Sequence, residues 1–349
     1  GAAAATAGGA LWALLPWLLL GLAALAVLAP PRLSFGALRR KVALCVYGAA
    51  YLALARDSQF QLPPDPGKSS APVARTKRVV FVRHGESAWN ECFNRAFDAS
   101  LPWRLLWALL KEAALLLCLD SLFLDSPLSE EGLAQARLLE AFLEGEAGEE
   151  LRRTCEGAVL ASSCLRRAAA TALVGFGRAL QGGRPLWALS CLQEISRNVD
   201  TLVLAAPLQP PALPAAAAGA PPRCLQGAFN LGNKGLTSHG GQRLHAFCEW
   251  VFSDCSPTAL QPTVVVFGHS LWFKAFFQVY LPHTAYHECK HAKIVNCGVV
   301  AFELEQLRAP GGACAEYRVP PESVVNIYGG FEEKKARRWG RPKAGAKRD

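Results

Sequence analysis

The sequence predicts an α/β protein, a three-layer α/β/α sandwich around a mainly parallel central sheet. Two runs point there first. Val79-Val80-Phe81-Val82 and Thr263-Val264-Val265-Val266-Phe267 are short, apolar and rich in β-branched residues, as strands buried on both faces are. Around them strand-like and helix-like stretches alternate, the pattern of parallel strands joined by crossover helices.

At 349 residues, 51% of them apolar and 19% charged, the chain is long enough for one large domain with appendages. It contains no methionine, which points to a start further upstream. Its twelve cysteines are scattered without a single C-x-x-C, so they read as free thiols in a reducing compartment rather than as a zinc site or a disulfide scaffold. The net charge of +9 favours anionic partners, either phosphorylated substrates or acidic lipid. No nucleic-acid module is legible, and a basic balance alone does not call for a nucleic-acid partner.

Residues 1–60 read as membrane-anchoring apolar segments. Residues 1–31 carry no charge, and Leu11 to Ala29 is a Leu/Ala/Trp run close to the ~20 residues that cross a bilayer. A signal peptide is the competing reading, but a basic region should precede its apolar core. Arg32, Arg39, Arg40 and Lys41 follow with no acid among them, which marks a cytoplasmic flank. The expectation is therefore a single-pass membrane protein with its main domain facing the cytosol. Val42 to Ala55 is a second apolar run, but at ~1.5 Å per residue it falls short of the ~30 Å hydrocarbon core. It is expected to lie in the interface or to pack on the domain. Residues 61–77, with Pro63, Pro64, Pro66, Gly67 and Pro72, read as a linker.

The main domain is expected over 78–330. Its first strand runs into Arg83-His84-Gly85-Glu86 at the carboxyl end, where open α/β sheets bind ligands. An arginine fork matches phosphate oxygens, a histidine can act as nucleophile, and glycine allows close backbone approach. Residues 92–126 form an insertion whose Leu/Trp-rich centre, Pro102 to Leu124, has only a narrow polar face. It suits a helix dipping into lipid, a lid, or a helix packed on the domain. Ser129 with Glu130 and Glu131 is a helix start. Gly157 to Ala161 reads as a strand, followed by a helix with Arg166, Arg167 and Thr171, and then by an extended Trp187 to Leu192. Residues 205–223 hold six prolines among alanines and read as an exposed insertion. Gly240 to Val251 and Leu271 to Tyr280 are expected helices, and Gly298 to Leu304 a last strand. Residues 331–349 form a basic tail, either solvated or in contact with anionic lipid.

Read in order, RHGESAWN at 83–90, DSPLSEEGLAQA at 125–136, SCLRRAAATA at 163–172, Leu192-Gln193-Glu194 and Val264 to Ser270 resemble the signature stretches of the histidine phosphatase superfamily, the phosphoglycerate-mutase-like enzymes. The resemblance implies a phosphohistidine on His84. It implies a cationic pocket from Arg83, Arg167 and His269, and Glu194 as the acid for the leaving group and the base for water. Asn90, Glu86 and Ser270 would contact phosphate or substrate. The register of Ser163-x-Leu165-x-Arg167 favours Arg167 over Arg166, which is expected to be exposed. No cofactor and no metal are implied.

The function so implied is phosphomonoester hydrolysis at a membrane, on a phosphorylated small molecule or a phosphoprotein. A phosphomutase is the alternative, and its family stretch ending in Asn-Lys is echoed only by Gly227 to Lys234. A non-catalytic phosphate-binding scaffold is the third reading. Gly268-His269-Ser270-Leu271-Trp272 resembles a serine-hydrolase elbow, but Trp272 stands where a small residue is needed. His283, His287 and His291 recur every four residues and could line one helix face, with no carboxylate motif to complete a metal site.

Overall fold

The computed structural model describes residues 35–93, 100–213, 222–308 and 316–332. Its elements in chain order are α1 (Phe35–Leu54), β1 (Val73–Arg83), α2 (Ala88–Phe93), α3 (Leu101–Ala114), α4 (Glu130–Glu144), α5 (Glu149–Glu156), β2 (Val159–Ser163), α6 (Arg166–Gly175), β3 (Leu186–Leu189), β4 (Leu225–Phe229), α7 (Gly240–Phe252), β5 (Thr263–Gly268), α8 (Ser270–Tyr280), β6 (Val299–Leu307), β7 (Glu316–Arg318) and β8 (Val325–Tyr328).

These form one sheet of order β4-β3-β2-β5-β1-β6-β7, with β8 also on β6. The five strands from β4 to β1 run parallel, and β6, β7 and β8 add antiparallel pairings at one edge. The fold is thus mixed α/β with a mainly parallel central sheet. Strand periodicity divides the core in two. Val79, Phe81, Val264 and Val266 face one layer with α7 and α8, and Val80, Val82, Val265 and Phe267 face the other with α4, α5 and α6. Phe81 is the centre of the first layer. Its ring stacks on Phe273 at 4.1 Å and meets Trp272, Phe276, Phe277 and Phe302 edge-on. Truncating such a buried aromatic costs about 3–5 kcal/mol.

Where the sheet departs from expectation, local pattern is weak. β1 starts at Val73, inside the stretch read as linker, because Val73 to Lys77 pair with the far end of β6. β4, β7 and β8 are strands of three to five residues that alternation alone does not mark.

The membrane expectation is corrected. Among the described residues no helix is long and apolar enough to cross a bilayer. Leu11 to Ala29 itself lies outside the described residues, as do 333–349 of the basic tail and 214–221 of the Pro/Ala insertion. α1 packs on the domain through a stripe of Ala37, Lys41, Leu44, Gly48 and Tyr51, spaced four and three apart as one helix face requires. Lys41 Nζ reaches Glu112 at 3.2 Å and the Leu115 carbonyl at 2.8 Å, tying α1 to α3. Gly48 admits the side chains of Val199 and Leu202, on the loop beyond β3. α3 buries Ala108 but leaves Trp103, Leu106, Trp107 and Leu110 exposed, so it is not enclosed by the domain.

Candidate active site

The register of the parallel strands assembles the site. β1 pairs with β5 so that Arg83 lies opposite Gly268, and the amide of His84 donates to the Gly268 carbonyl. His84 and His269 therefore leave adjacent strand ends, with ring centres 5.0 Å apart and edge to face. β2 flanks β5 on its other side and turns at Ser163 into α6, which carries Arg167 inward in its first turn. Beyond β2 lies β3, and the short turn after it delivers Glu194. All four side chains stand at the carboxyl end of the sheet.

His84 is held as a nucleophile would have to be. Its Nδ1 lies 2.6 Å from the Gly85 carbonyl, which can only accept, so Nδ1 carries the proton. Nε2 is then a bare lone pair, and Arg167 Nε–H points at it from 3.3 Å. Burial, reinforced by the charges of Arg167 and Arg83, holds the His84 pKa well below the usual histidine value. The loop behind is tight. The Gly85 amide donates to Thr171 Oγ1, and a Cβ on Gly132 would stand 2.0 Å from the Glu86 carbonyl oxygen. α4 can abut the Arg-His-Gly-Glu loop only because Gly132 has no side chain. Ser129 caps that helix through Gly132 N and also donates to Glu86 Oε2.

Two arginines and a second histidine surround the nucleophile. Arg167 is fixed by Asp200, whose carbonyl accepts from Nη1 at 2.8 Å and whose carboxylate lies 3.3 Å from Nη2. Arg83 donates to the Ile294 carbonyl and to Glu332, 2.7 Å away, while its Nε has no partner among the described residues. His269 is fully buried, and neither of its ring nitrogens has a partner there. Such orphaned buried groups call for an explanation, and a bound oxyanion supplies one. Burial and then the charge of Arg167 hold the His269 pKa well below its ordinary value.

Glu194 sits at the amino end of α8. Its Oε1 accepts from the Trp272 amide at 2.9 Å and the Ile195 amide at 3.0 Å, with the Leu271 amide at 3.4 Å from Oε2. Those donors and Arg167 favour the carboxylate, yet burial dominates and raises its pKa. A buried carboxyl with its pKa raised in this way is better able to hold a proton for transfer than an exposed one.

The structure brings His84, His269, Arg83, Arg167 and Glu194 together. Asn90 lies on α2, its amide on Ser87 Oγ, Glu86 is held at the start of α4, and buried Ser270 opens α8. Ser270 occupies a regular helical start, and among the described residues positive φ outside glycine is confined to Asp125, Leu208 and Cys297, so the strained elbow does not form.

Arg166 corrects the sequence reading. It is 1% exposed, not a surface residue. Its amide and Nε bond Asp125 at 2.8 Å each, and its Nη groups bond Asp120 and the Ser121 carbonyl. The helix that could have aligned His283, His287 and His291 does not form, since His283 and His287 lie outside helices, and no metal cluster is found among the described residues. Sequence reasoning missed Asp200 and a buried cluster of Asp57, Lys234 and Arg243. Asp57 fell in the stretch read as membrane-anchoring, Lys234 at the end of the mutase-like Gly227 to Lys234 and Arg243 in an expected helix, so nothing local marked them as partners.

No family model and no curated protein matches the chain. Among solved structures, a mycobacterial hydrolase is similar over 70% of this chain and 97% of its own, at 18% identity and a TM-score of 0.35. A second mycobacterial hydrolase covers 75% and 94% at 17% identity and 0.35. A mycobacterial glucosyl-3-phosphoglycerate phosphatase complexed with VO3 covers 70% and 98% at 16% identity and 0.36. Likenesses at TM-scores this low carry no argument about activity, which has to come from the side chains themselves.

Proposed function

We propose that the chain is a phosphomonoester hydrolase of the histidine phosphatase kind, working through a phosphohistidine on His84. One observation carries this: a deeply buried histidine with its Nδ1–H tied to a carbonyl and its Nε2 lone pair turned to a guanidinium. In the first step Nε2 attacks phosphorus, the ester P–O bond breaks, and Glu194 gives its proton to the leaving oxygen. In the second, Glu194 takes a proton from water, whose oxygen attacks phosphorus. The N–P bond breaks, phosphate departs and the lone pair returns to Nε2. Arg83, Arg167 and His269 would hold the equatorial oxygens, where charge develops. Asn90, Glu86 and Ser270 stand as candidate contacts to the substrate.

Hydrolysis is favoured over phosphoryl retention by the fate of Asn233-Lys234. Asn233 Oδ1 accepts from the Val203 amide, and the Lys234 ammonium is buried away from solvent, so neither is offered to a substrate as a mutase would need. The test is a turnover assay of the full chain against p-nitrophenyl phosphate and panels of phosphorylated metabolites and phosphopeptides. Saturable phosphate release that depends on His84 supports the reading. Binding of phosphate without turnover would favour a scaffold.

A further inference from the structure

Beneath Glu194 lies a group of buried charges with no part in the chemistry just described. Asp57, from the turn after α1, faces Arg243 of α7 through both carboxylate oxygens, and Lys234 Nζ lies 3.4 Å from its Oδ2. The Asp57 and Lys234 side chains are 0% exposed and that of Arg243 is 9%. Buried ions give weak stabilisation, since apolar residues of similar volume often do as well, so the cluster needs another account.

Its contacts supply one. Lys234 Nζ donates to the Glu194 carbonyl at 2.9 Å, to the Ser196 carbonyl at 2.6 Å and to Thr201 Oγ1 at 3.2 Å. Arg243 Nη2 reaches the carbonyls of Gln193 at 3.3 Å and Glu194 at 3.5 Å. One ammonium thus pins both ends of the 194–201 loop, which carries the candidate acid at its start and Asp200, the partner of Arg167, near its end. From above, Lys234 lies over the Tyr51 ring at 4.9 Å, and Tyr47 donates to the Lys234 carbonyl. The amide of Gly240, the first residue of α7, donates to the Asp57 carbonyl.

We propose that Lys234 and Asp57 are positioning residues for the acid: by clamping the Glu194 carbonyl against a fixed ion cluster, they hold its carboxyl at the start of α8 in line with the leaving oxygen. The α1–Asp57 segment is then part of the catalytic apparatus, although it precedes the first strand. This rests on the hydrolase reading, and the experiment separates the two. Wild type, Glu194→Gln and Lys234→Met are assayed as full chains with phenyl phosphate and p-nitrophenyl phosphate. The esters have similar shape, but the phenolate is the stronger base and needs the proton more.

The expected result is that Glu194→Gln and Lys234→Met both lower kcat/KM, which reports the first step, with phenyl phosphate more than with p-nitrophenyl phosphate, on the order of tenfold more and below the full ~10²–10⁴ that proton transfer contributes. The double variant should be no more selective than Glu194→Gln alone. If Glu194→Gln shifts the ratio and folded Lys234→Met does not, the positioning role falls while the hydrolase stands. If no ester is turned over by wild type, or Glu194→Gln leaves the ratio unchanged, the acid assignment falls and the positioning role with it. Should Lys234→Met not fold, Asp57→Asn/Lys234→Met removes the pair as a unit. Failure of both to fold, beside a folded Glu194→Gln, would mark the cluster as a stability element and overturn the proposal.

Discussion

Arg167 Nε lies 3.3 Å from His84 Nε2, so cation and candidate nucleophile share the place where a phosphorus atom would arrive. An anion entering there turns an idle contact between two basic groups into a reactive one. The guanidinium N–H would then switch its hydrogen bond to a phosphoryl oxygen, leaving the His84 lone pair facing phosphorus.

His84→Ala is therefore expected to abolish turnover, because among the described residues only His84 has its Nδ1–H tied to a carbonyl and its Nε2 lone pair turned to the Arg167 guanidinium. Wild-type protein quenched during turnover should carry a phosphate that is labile in acid and stable in base, mapped to His84 by peptide mass. Full activity in the alanine variant would end the phosphohistidine mechanism.

The two adjacent arginines should fail in different ways. Arg166→Ala leaves Asp125 and Asp120 without their buried cation, a loss of about 3–5 kcal/mol of stability. Arg167→Ala removes a donor to the transferring group, worth about 10²–10³ in kcat. Denaturant melts and kcat measured on both variants would separate them. A folded, fully stable Arg166→Ala would contradict its place in the structure.

The central parallel strands were legible from local pattern, whereas the five central side chains were picked out chiefly by the resemblance of the ordered stretches that carry them. Val79 to Val82 and Thr263 to Phe267 announce buried strands, and chemistry-bearing residues at their carboxyl ends stand out against apolar surroundings. Arg166 was misread because its partner Asp125 is 41 residues away and helical spacing alone does not show which side of α6 is covered. Asp57, Lys234 and Asp200 were hidden for the same reason. Their roles come from contacts across as many as 186 residues, and each looks locally like a polar residue in a turn. α1 was read by hydropathy, which registers apolar content but not the four-and-three stripe that packs it on the domain.

Gly132→Ala should be far more harmful than Gly145→Ala, though both glycines border α4. A Cβ at 132 would stand 2.0 Å from the Glu86 carbonyl oxygen, whereas at 145 the nearest atom is 3.5 Å away. Forcing α4 from the loop should cost about 1–3 kcal/mol and displace the His84 loop as well. Thermal melts together with kcat/KM test this. Equal behaviour of the two variants would mean that the contact gives way without cost.

Stability should fall with acid partly through the two site histidines. Both have folded pKa values below the ordinary 6.5, so below that pH the unfolded chain binds protons that the folded site refuses. Their contribution is fully present above pH 6.5 and declines as pH falls toward the folded values. Asp125, Glu194 and Asp200, raised by burial, act in the opposite sense, so the comparison has to be a difference. His84→Asn/His269→Asn should flatten the decline of unfolding free energy between pH 6.5 and 5 relative to wild type. Parallel curves for the two proteins would show that the histidines titrate normally.

The last prediction concerns the anion already present at the pocket. Glu332 sits 2.7 Å from Arg83, its side chain 46% exposed while that of the arginine is only 9%. A carboxylate there competes with a phosphate dianion for the same guanidinium. Because the pair is half open to water, its worth is about 0.5–1 kcal/mol, and it should weaken with salt. Glu332→Gln keeps the shape and removes the charge. Product inhibition by inorganic phosphate should then tighten about two- to fivefold, KM should fall by a similar factor and kcat should hold, as expected when a competing charge of that worth is removed. The gap between variant and wild type should narrow at high ionic strength. A higher KM in Glu332→Gln would mean the reverse, that the carboxylate holds Arg83 in its working orientation and the substrate binds beside the pair.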